Sequence, residues 1–99
     1  MNTKISLADI SDIFHLLFQK YQELNIDFIE TKKEYYWDID KHELYDPYNE
    51  PKNLTLGQLS FDLEELKKIA SENRNVVSYD LELIARVLKV ISVESAALF

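Results

Sequence analysis

The first part of the chain carries a regular stripe of apolar residues. Apolar side chains recur at steps of three and four residues, which is the spacing of one face of an α-helix. The stripe consists of Ile10, Ile13, Phe14, Leu17, Phe18, Tyr21 and Leu24. Ser6 and Asp9 have the spacing of a weak capping box before it, and Asn25 follows its last residue. The pattern predicts a helix over residues 7–24 whose stripe faces a core.

A second apolar stripe begins directly after Thr55. Thr55 and Gln58 have the residue types and spacing of a capping box. The stripe consists of Leu56, Leu59, Leu63, Leu66 and Ala70. Its repeat is close to that of a heptad, which is typical of a helix that packs on another helix. A helix over residues 56–73 is therefore predicted.

A third stripe begins after Ser78, another candidate helix cap. It consists of Leu81, Ile84, Ala85, Leu88 and Ile91, and Leu83, Val87 and Val90 widen it. The pattern predicts a helix over residues 79–96 that is apolar around much of its circumference. Such a helix is either the central helix of the domain or the interface with a second copy.

The helical spacing does not explain residues 26–39, which contain the aromatic run Tyr35 to Trp37. Aromatic residues favour strands, so a short hairpin that turns at Lys32 and Lys33 is an alternative. That turn lacks the Gly or Asn that tight hairpins prefer. Asp40 is placed to cap one short helical turn after this segment.

These patterns predict an all-α fold, a three-helix bundle with an aromatic acidic connector between its first two helices. The alternative is an α+β fold with a short hairpin near residues 26–39. A length of 99 residues with 46% apolar residues, one glycine and two prolines is typical of one folded domain. Residues 1–99 are expected to form a single helical domain.

The chain is acidic. Eighteen acids and eleven bases leave a net charge of -7, which repels nucleic acid phosphates and anionic membrane surfaces. Its longest runs of basic residues are the two isolated pairs Lys32-Lys33 and Lys67-Lys68. We therefore expect neither a nucleic acid nor a membrane as the partner. The charge favours a basic protein.

The expected compartment is the cytoplasm. The chain has no cysteine, which excludes disulfides and is typical of a reducing compartment. Residues 1–12 mix Lys4, Asp9 and Asp12 with apolar residues, unlike the ordered regions of a signal peptide. No run approaches the ~18 apolar residues of a membrane span.

Charge and aromatic rings are concentrated in residues 34–50, here named the acidic aromatic segment. Six acids and the single base Lys41 give it -5 of the net charge of -7. Loops that carry Tyr and Trp are typical of recognition surfaces, because these rings give large rigid contacts. The residues predicted to bind a partner are Tyr35, Trp37, Asp38, Asp40, Glu43, Tyr45, Asp46 and Tyr48. The alternative is that the rings close the open side of the bundle while the acids solvate the loop.

The sequence offers little for catalysis. Gly57 is the only glycine, which excludes the Gly-rich loops that bind nucleotides, and no serine lies in a glycine-flanked nucleophile elbow. We therefore expect no enzyme, no cofactor and no metal site. One alternative rests on Asp38, Asp40 and His42, which would share one face of an extended segment and could bind a divalent ion there.

The middle third of the chain carries the motifs Tyr35-Tyr36-Trp37, Asp46-Pro47-Tyr48, Glu50-Pro51 and Leu54-Thr55-Leu56-Gly57-Gln58-Leu59-Ser60. Together they resemble a group of small uncharacterised bacterial proteins, which implies a bacterial origin and no particular chemistry. In size and acidity the chain is also similar to bacterial immunity proteins, small cytoplasmic domains that neutralise a cognate toxin. Immunity proteins share no common fold, so this likeness concerns function alone.

The function predicted from these observations is a non-enzymatic protein-binding domain of inhibitor or immunity type, whose basic partner could be a toxin. Steering of the partner would come from Asp38, Asp40, Glu43 and Asp46, and anchoring from Trp37, Tyr45 and Tyr48. A second hypothesis is a structural homodimer or assembly subunit with an interface on the last helix, including Val90, Val93, Leu98 and Phe99. A third is a metal-dependent enzyme built on Asp38, Asp40 and His42.

Overall fold

The computed structural model describes residues 2–99, and Met1, the first residue of the predicted domain, lies outside them. The described residues form four helices and two strands. They are α1 (Leu7–Glu23), β1 (Tyr35–Ile39), α2 (Lys41–Leu44), β2 (Leu54–Gln58), α3 (Leu59–Ser71) and α4 (Tyr79–Ser95). The fold is therefore α+β, and the predicted all-α three-helix bundle is wrong.

The strands β1 and β2 form an antiparallel pair in which Tyr36 lies opposite Gly57. The α+β alternative agrees with the structure in its class, and the aromatic run does form a strand as its residue types favour. That alternative placed the turn at Lys32 and Lys33, whereas β1 pairs with a strand that follows residues 40–53. The connection between the two strands is thus a long segment that contains α2.

The strand β2 occupies residues that were predicted to begin a helix. Thr55 lies inside β2, and Gln58 precedes α3 without a capping bond from its side chain. The cap comes from a distant residue, because the Glu34 carboxylate accepts hydrogen bonds from the peptide N–H of Ser60 (3.2 Å) and from its hydroxyl. The Ser60 hydroxyl holds the pKa of Glu34 below its usual range. The apparent capping box was wrong because strand pairing satisfies this backbone instead.

The predicted start and end of α1 and the predicted start of α2 are confirmed. The Ser6 hydroxyl accepts a hydrogen bond from the peptide N–H of Asp9 (3.2 Å) and begins α1. Asn25 has a φ of 58°, the left-handed conformation that ends many helices. Asp40 accepts from the peptide N–H of His42 (2.9 Å) and begins the short α2.

At the start of α4, Asp80 takes the capping role that was predicted for Ser78. Ser78 precedes the helix but makes no side-chain capping bond. The Asp80 carboxylate accepts from the peptide N–H of Val77 (2.9 Å) and receives both terminal nitrogens of Arg74, at 2.9 and 3.3 Å. Arg74 and then the Val77 amide hold the pKa of Asp80 below its usual range. This bidentate pair fixes the loop between α3 and α4.

The core is small and lies where α3 meets α4. Among residues 2–99, the buried apolar side chains are Leu59 on α3 and Leu83 and Val87 on α4. On α4 the buried apolar residues are Leu83 and Val87, which were predicted only to widen the stripe, whereas the predicted inward residues Leu81 and Ile84 are exposed. The inward side of α4 was therefore predicted wrongly, because a helix that is apolar around much of its circumference does not indicate by its pattern which side is covered. A core of this size gives limited stability to a single chain.

The helix α1 contributes no buried residue. Contact with the rest of the fold occurs near its C-terminal end, where the Tyr21 hydroxyl is 2.6 Å from the Ser95 hydroxyl and the Tyr21 ring meets Phe99 edge-on. The prediction that its stripe faces the core of this chain is wrong, because periodicity shows that a helix has an apolar face without showing what covers it. Within residues 2–99, no helix combines the length and apolar character needed to cross a lipid bilayer.

Tyr36 anchors the strand pair to the helices. Its hydroxyl donates a hydrogen bond to the buried carboxylate of Asp62 on α3, and its ring lies under the guanidinium of Arg86 on α4, 5.5 Å from the ring centre. Burial and the bond to Asp62 raise the pKa of Tyr36, so the phenol keeps its proton. A side chain at Gly57 would overlap the Tyr36 ring, although the backbone of Gly57 does not need a positive φ. Glycine is required here for space.

We expect Gly57→Ala to lower the free energy of unfolding by about 1–3 kcal/mol, because the added methyl group forces the Tyr36 ring away from Asp62 and Arg86. Urea unfolding followed by circular dichroism measures this change. The control is the same substitution in a Tyr36→Ala background, where the loss should fall to within about 0.5 kcal/mol of zero. An equal loss in both backgrounds would show that the ring contact is not the cause.

Candidate partner-binding surface

An open groove of about 880 Å³ lies between β1, α2 and α4. Trp37, Leu44 and Tyr45 line one side, and Tyr79 and Leu81 line the other. Both sides carry rings and aliphatic side chains, with charged groups among them. The groove is therefore suited to hold large apolar side chains of a partner, with polar groups to fix their orientation.

The rings of the acidic aromatic segment point mostly into solvent. Tyr48 is 92% exposed, Tyr45 84% and Trp37 67%. In β1, Tyr35 and Trp37 are exposed while Tyr36 between them packs inward, as the alternation of a strand requires. The alternative in which the rings close a bundle is therefore wrong for these exposed rings, and it describes Tyr36 alone.

Glu43 closes the connection between the two strands. Its carboxylate accepts hydrogen bonds from the peptide N–H groups of Lys52 and Asn53 and from the Asn53 side-chain amide, each at 3.1 Å. Bonds from ionised carboxylates to peptide N–H groups are among the stronger ones. Glu43 thus ties α2 to the residues that enter β2.

Two further acids shape the same segment. Asp40 caps α2, and Asp46 accepts from the peptide N–H of Tyr48 (3.2 Å) and from the side-chain amide of Asn49 (2.9 Å). An aspartate that bonds to a backbone two residues on stabilises a turn. Both acids therefore have structural roles in addition to their charge. The cap at Asp40 was predicted from the sequence, whereas the bonds of Asp46 were not.

Asp38 is paired with a base that the sequence reasoning had not singled out. Its carboxylate lies 2.8 Å from Arg86. The Arg86 guanidinium also donates to the Tyr79 hydroxyl at 3.2 Å and lies 5.5 Å from the centres of both the Tyr36 and Tyr79 rings. Arg86 compensates part of the charge of Asp38, so Asp38 contributes less to the field around the segment than the other acids.

Burial acts against the charge of Arg86, but the Tyr79 hydroxyl and neighbouring negative charge outweigh it and raise the pKa of Arg86. A positive charge at this depth is stabilised by the two aromatic faces as well as by Asp38. One sequence signal could have identified Arg86: it lies between Leu83 and Val87, two apolar residues of the stripe on the last helix.

The residues of the metal hypothesis are not brought together. Asp38 lies in β1 and binds Arg86, Asp40 caps α2, and His42 lies within α2. The extended conformation that would align their side chains therefore ends at Ile39. In the described part of the chain, no group of three or more His, Asp or Glu side chains is placed to hold a metal ion.

Comparisons of this chain with protein-family models, with curated proteins and with solved structures found no match.

Proposed function

We propose that the chain is a non-enzymatic protein-binding domain that covers a basic surface of its partner with the acidic aromatic segment and the adjoining groove. Its concrete form is an inhibitor or immunity-type protein that acts in the cytoplasm on a basic partner such as a toxin. The observation that carries the proposal is the exposure of Trp37, Tyr45 and Tyr48 on a segment that its own hydrogen bonds hold in place.

Exposed rings on an ordered frame support tight binding for a physical reason. A partner that binds a mobile loop loses affinity because the loop must be ordered on contact. Here Glu43 and Asp46 fix the backbone around the rings before any partner arrives. Tyr and Trp also have few rotatable bonds, so they bury a large area at little entropic cost.

The charge of the segment supports steering. Residues 34–50 carry -5 of the net -7, and clustered charge of one sign raises the rate of association with an oppositely charged surface. Asp40, Glu43 and Asp46 have no basic side chain as an ion-pair partner among the described residues, whereas Asp38 is paired with Arg86. We therefore assign most of the steering to Asp40, Glu43 and Asp46.

Neutralising all four predicted steering residues in an Asp38→Asn, Asp40→Asn, Glu43→Gln, Asp46→Asn variant should slow association at low salt by about tenfold or more. The amide replacements keep an oxygen that can accept the local hydrogen bonds. Association rates would be measured against the product of the neighbouring reading frame, or against a partner captured from the source cells. The difference from the unmodified chain should shrink at ~1 M salt, where the Debye length is about 3 Å.

The matched control neutralises four exposed acids outside the segment, Glu23, Glu30, Glu64 and Glu72. Both variants change the net charge by the same amount, so they separate the local field from the total charge. If the two variants slowed association equally, the assignment of steering to the segment would be wrong. Circular dichroism of both variants shows whether the fold is kept.

Removing one ring should act mainly on dissociation. Trp37→Ala is expected to speed dissociation of the same partner by roughly 30-fold, which corresponds to about 2 kcal/mol for a central aromatic anchor. Phe61→Ala is the control, because Phe61 is an exposed ring on α3 outside the segment. Dissociation followed by surface plasmon resonance gives both values, and an unchanged rate for Trp37→Ala would remove Trp37 from the interface.

A further inference from the structure

The helix α1 carries an apolar face that the rest of the chain leaves uncovered. The α1 face consists of Ile10, Ile13, Phe14, Leu17, Phe18, Tyr21 and Leu24. Ile10, Ile13, Leu17, Phe18 and Leu24 are between 41% and 55% exposed. At helical spacing these residues lie on one side, so they form one continuous strip along the helix.

The exposed area is larger than a folded monomer of this size requires. The chain exposes 8821 Å² and has a radius of gyration of 15.6 Å. A folded monomer of 11.7 kDa exposes roughly 5,900 Å² and has a radius near 13 Å. The excess of about 2,900 Å² per chain exceeds the ~800 Å² that each partner buries in a standard interface, so the chain exposes enough surface for a stable dimer.

An apolar cleft continues the α1 face toward the core. Its volume is about 300 Å³, and Phe18 and Tyr21 of α1 line it together with Leu63, Val87 and Ile91. A second molecule that covers the α1 face can place apolar side chains in this cleft. The small core of the chain would then be extended across the interface, which is how many obligate dimers obtain their stability.

The helix α1 and the acidic aromatic segment differ in net charge. Residues 7–23 contain three acids, one lysine and a net charge of -2, against -5 for residues 34–50. Two acidic segments repel each other, so a second copy of this chain is disfavoured there and tolerated at α1. A twofold axis also places the same apolar patch of each copy in contact.

We propose that the chain forms a homodimer in which the α1 faces of two copies pack against each other in antiparallel orientation. The orientation follows from Asp9 in the first turn and Lys20 in the last turn, which lie on the same flank of the α1 face. Antiparallel packing about a twofold axis brings these flanks together, with Asp9 of each copy near Lys20 of the other. Parallel packing places them on opposite sides of the pair, where no such ion pair forms. This dimer rests on α1 and is independent of the proposed function.

The interface differs from the one predicted on the last helix. Val93, Leu98 and Phe99 are about half exposed, but the Phe99 ring already packs on Tyr21 of α1. Val90 is partly covered and lines the apolar cleft. The C-terminal residues therefore border the α1 face, and α1 provides the main contact.

Sedimentation velocity of the full chain at micromolar concentration tests the dimer. The unmodified chain should sediment at twice the mass of one chain, and Leu17→Glu should weaken the dimer at least 100-fold, because it places two charges at the centre of the interface. Gln19→Glu is the control on the same helix, since Gln19 is exposed and lies on the side opposite the α1 face. It should leave the dimer intact.

A monomeric unmodified chain would overturn the proposal. A dimer that survives Leu17→Glu would also overturn it, since the interface would then lie elsewhere, as on the last helix or with a different protein. If Leu17→Glu does not fold, the melting temperature of the unmodified chain decides the matter: it must rise with protein concentration for a dimer coupled to folding, and stay constant for a monomer.

Charge reversal tests the orientation in the same experiment. Lys20→Glu should weaken the dimer roughly fivefold by opposing Asp9, and adding Asp9→Lys should restore it. A parallel dimer would show no such rescue, because Asp9 of one copy and Lys20 of the other would lie on opposite sides of the pair. An absence of rescue would contradict the antiparallel arrangement.

Discussion

The ring of Tyr36 lies against the backbone at Gly57, and the placement of the strand pair depends on this contact. From that position the Tyr36 hydroxyl reaches Asp62 on α3 and the ring supports Arg86 on α4. Both strands flank residues 40–53, so fixing the strands also fixes the two ends of the segment between them. The position of the exposed rings therefore depends on the partly buried phenol of Tyr36 and on the absence of a side chain at Gly57.

Two uncovered surfaces result, and their charge differs. The acidic aromatic segment combines exposed rings with most of the net negative charge, which suits an oppositely charged protein. The α1 face is apolar and carries little charge, which suits a second copy of the same chain. The chain has too small a core to cover both surfaces itself, so each is left for another molecule.

The features predicted from the sequence are those that depend on neighbours along the chain. Helix ends are of this kind, because they depend on contacts within a few residues. The start of α1 at Ser6, its end near Asn25 and the start of α2 at Asp40 were therefore predicted correctly. The β1 and β2 pairing was missed because its partners are separated by residues 40–53 and because β2 resembles a helix start. The acids and rings of the candidate site were chosen from their residue types, while the pairing of Asp38 with Arg86 required the tertiary fold.

The central claim is that the acidic aromatic segment is ordered before it meets a partner. Residue-resolved amide hydrogen exchange of the unmodified chain tests it most directly, because the N–H groups of Lys52 and Asn53 donate to Glu43. Both amides should exchange on the order of tenfold or more slowly than in an unstructured peptide. Glu43→Ala should remove this protection without altering that of α3 and α4. Exchange at the unstructured rate in the unmodified chain would contradict the account.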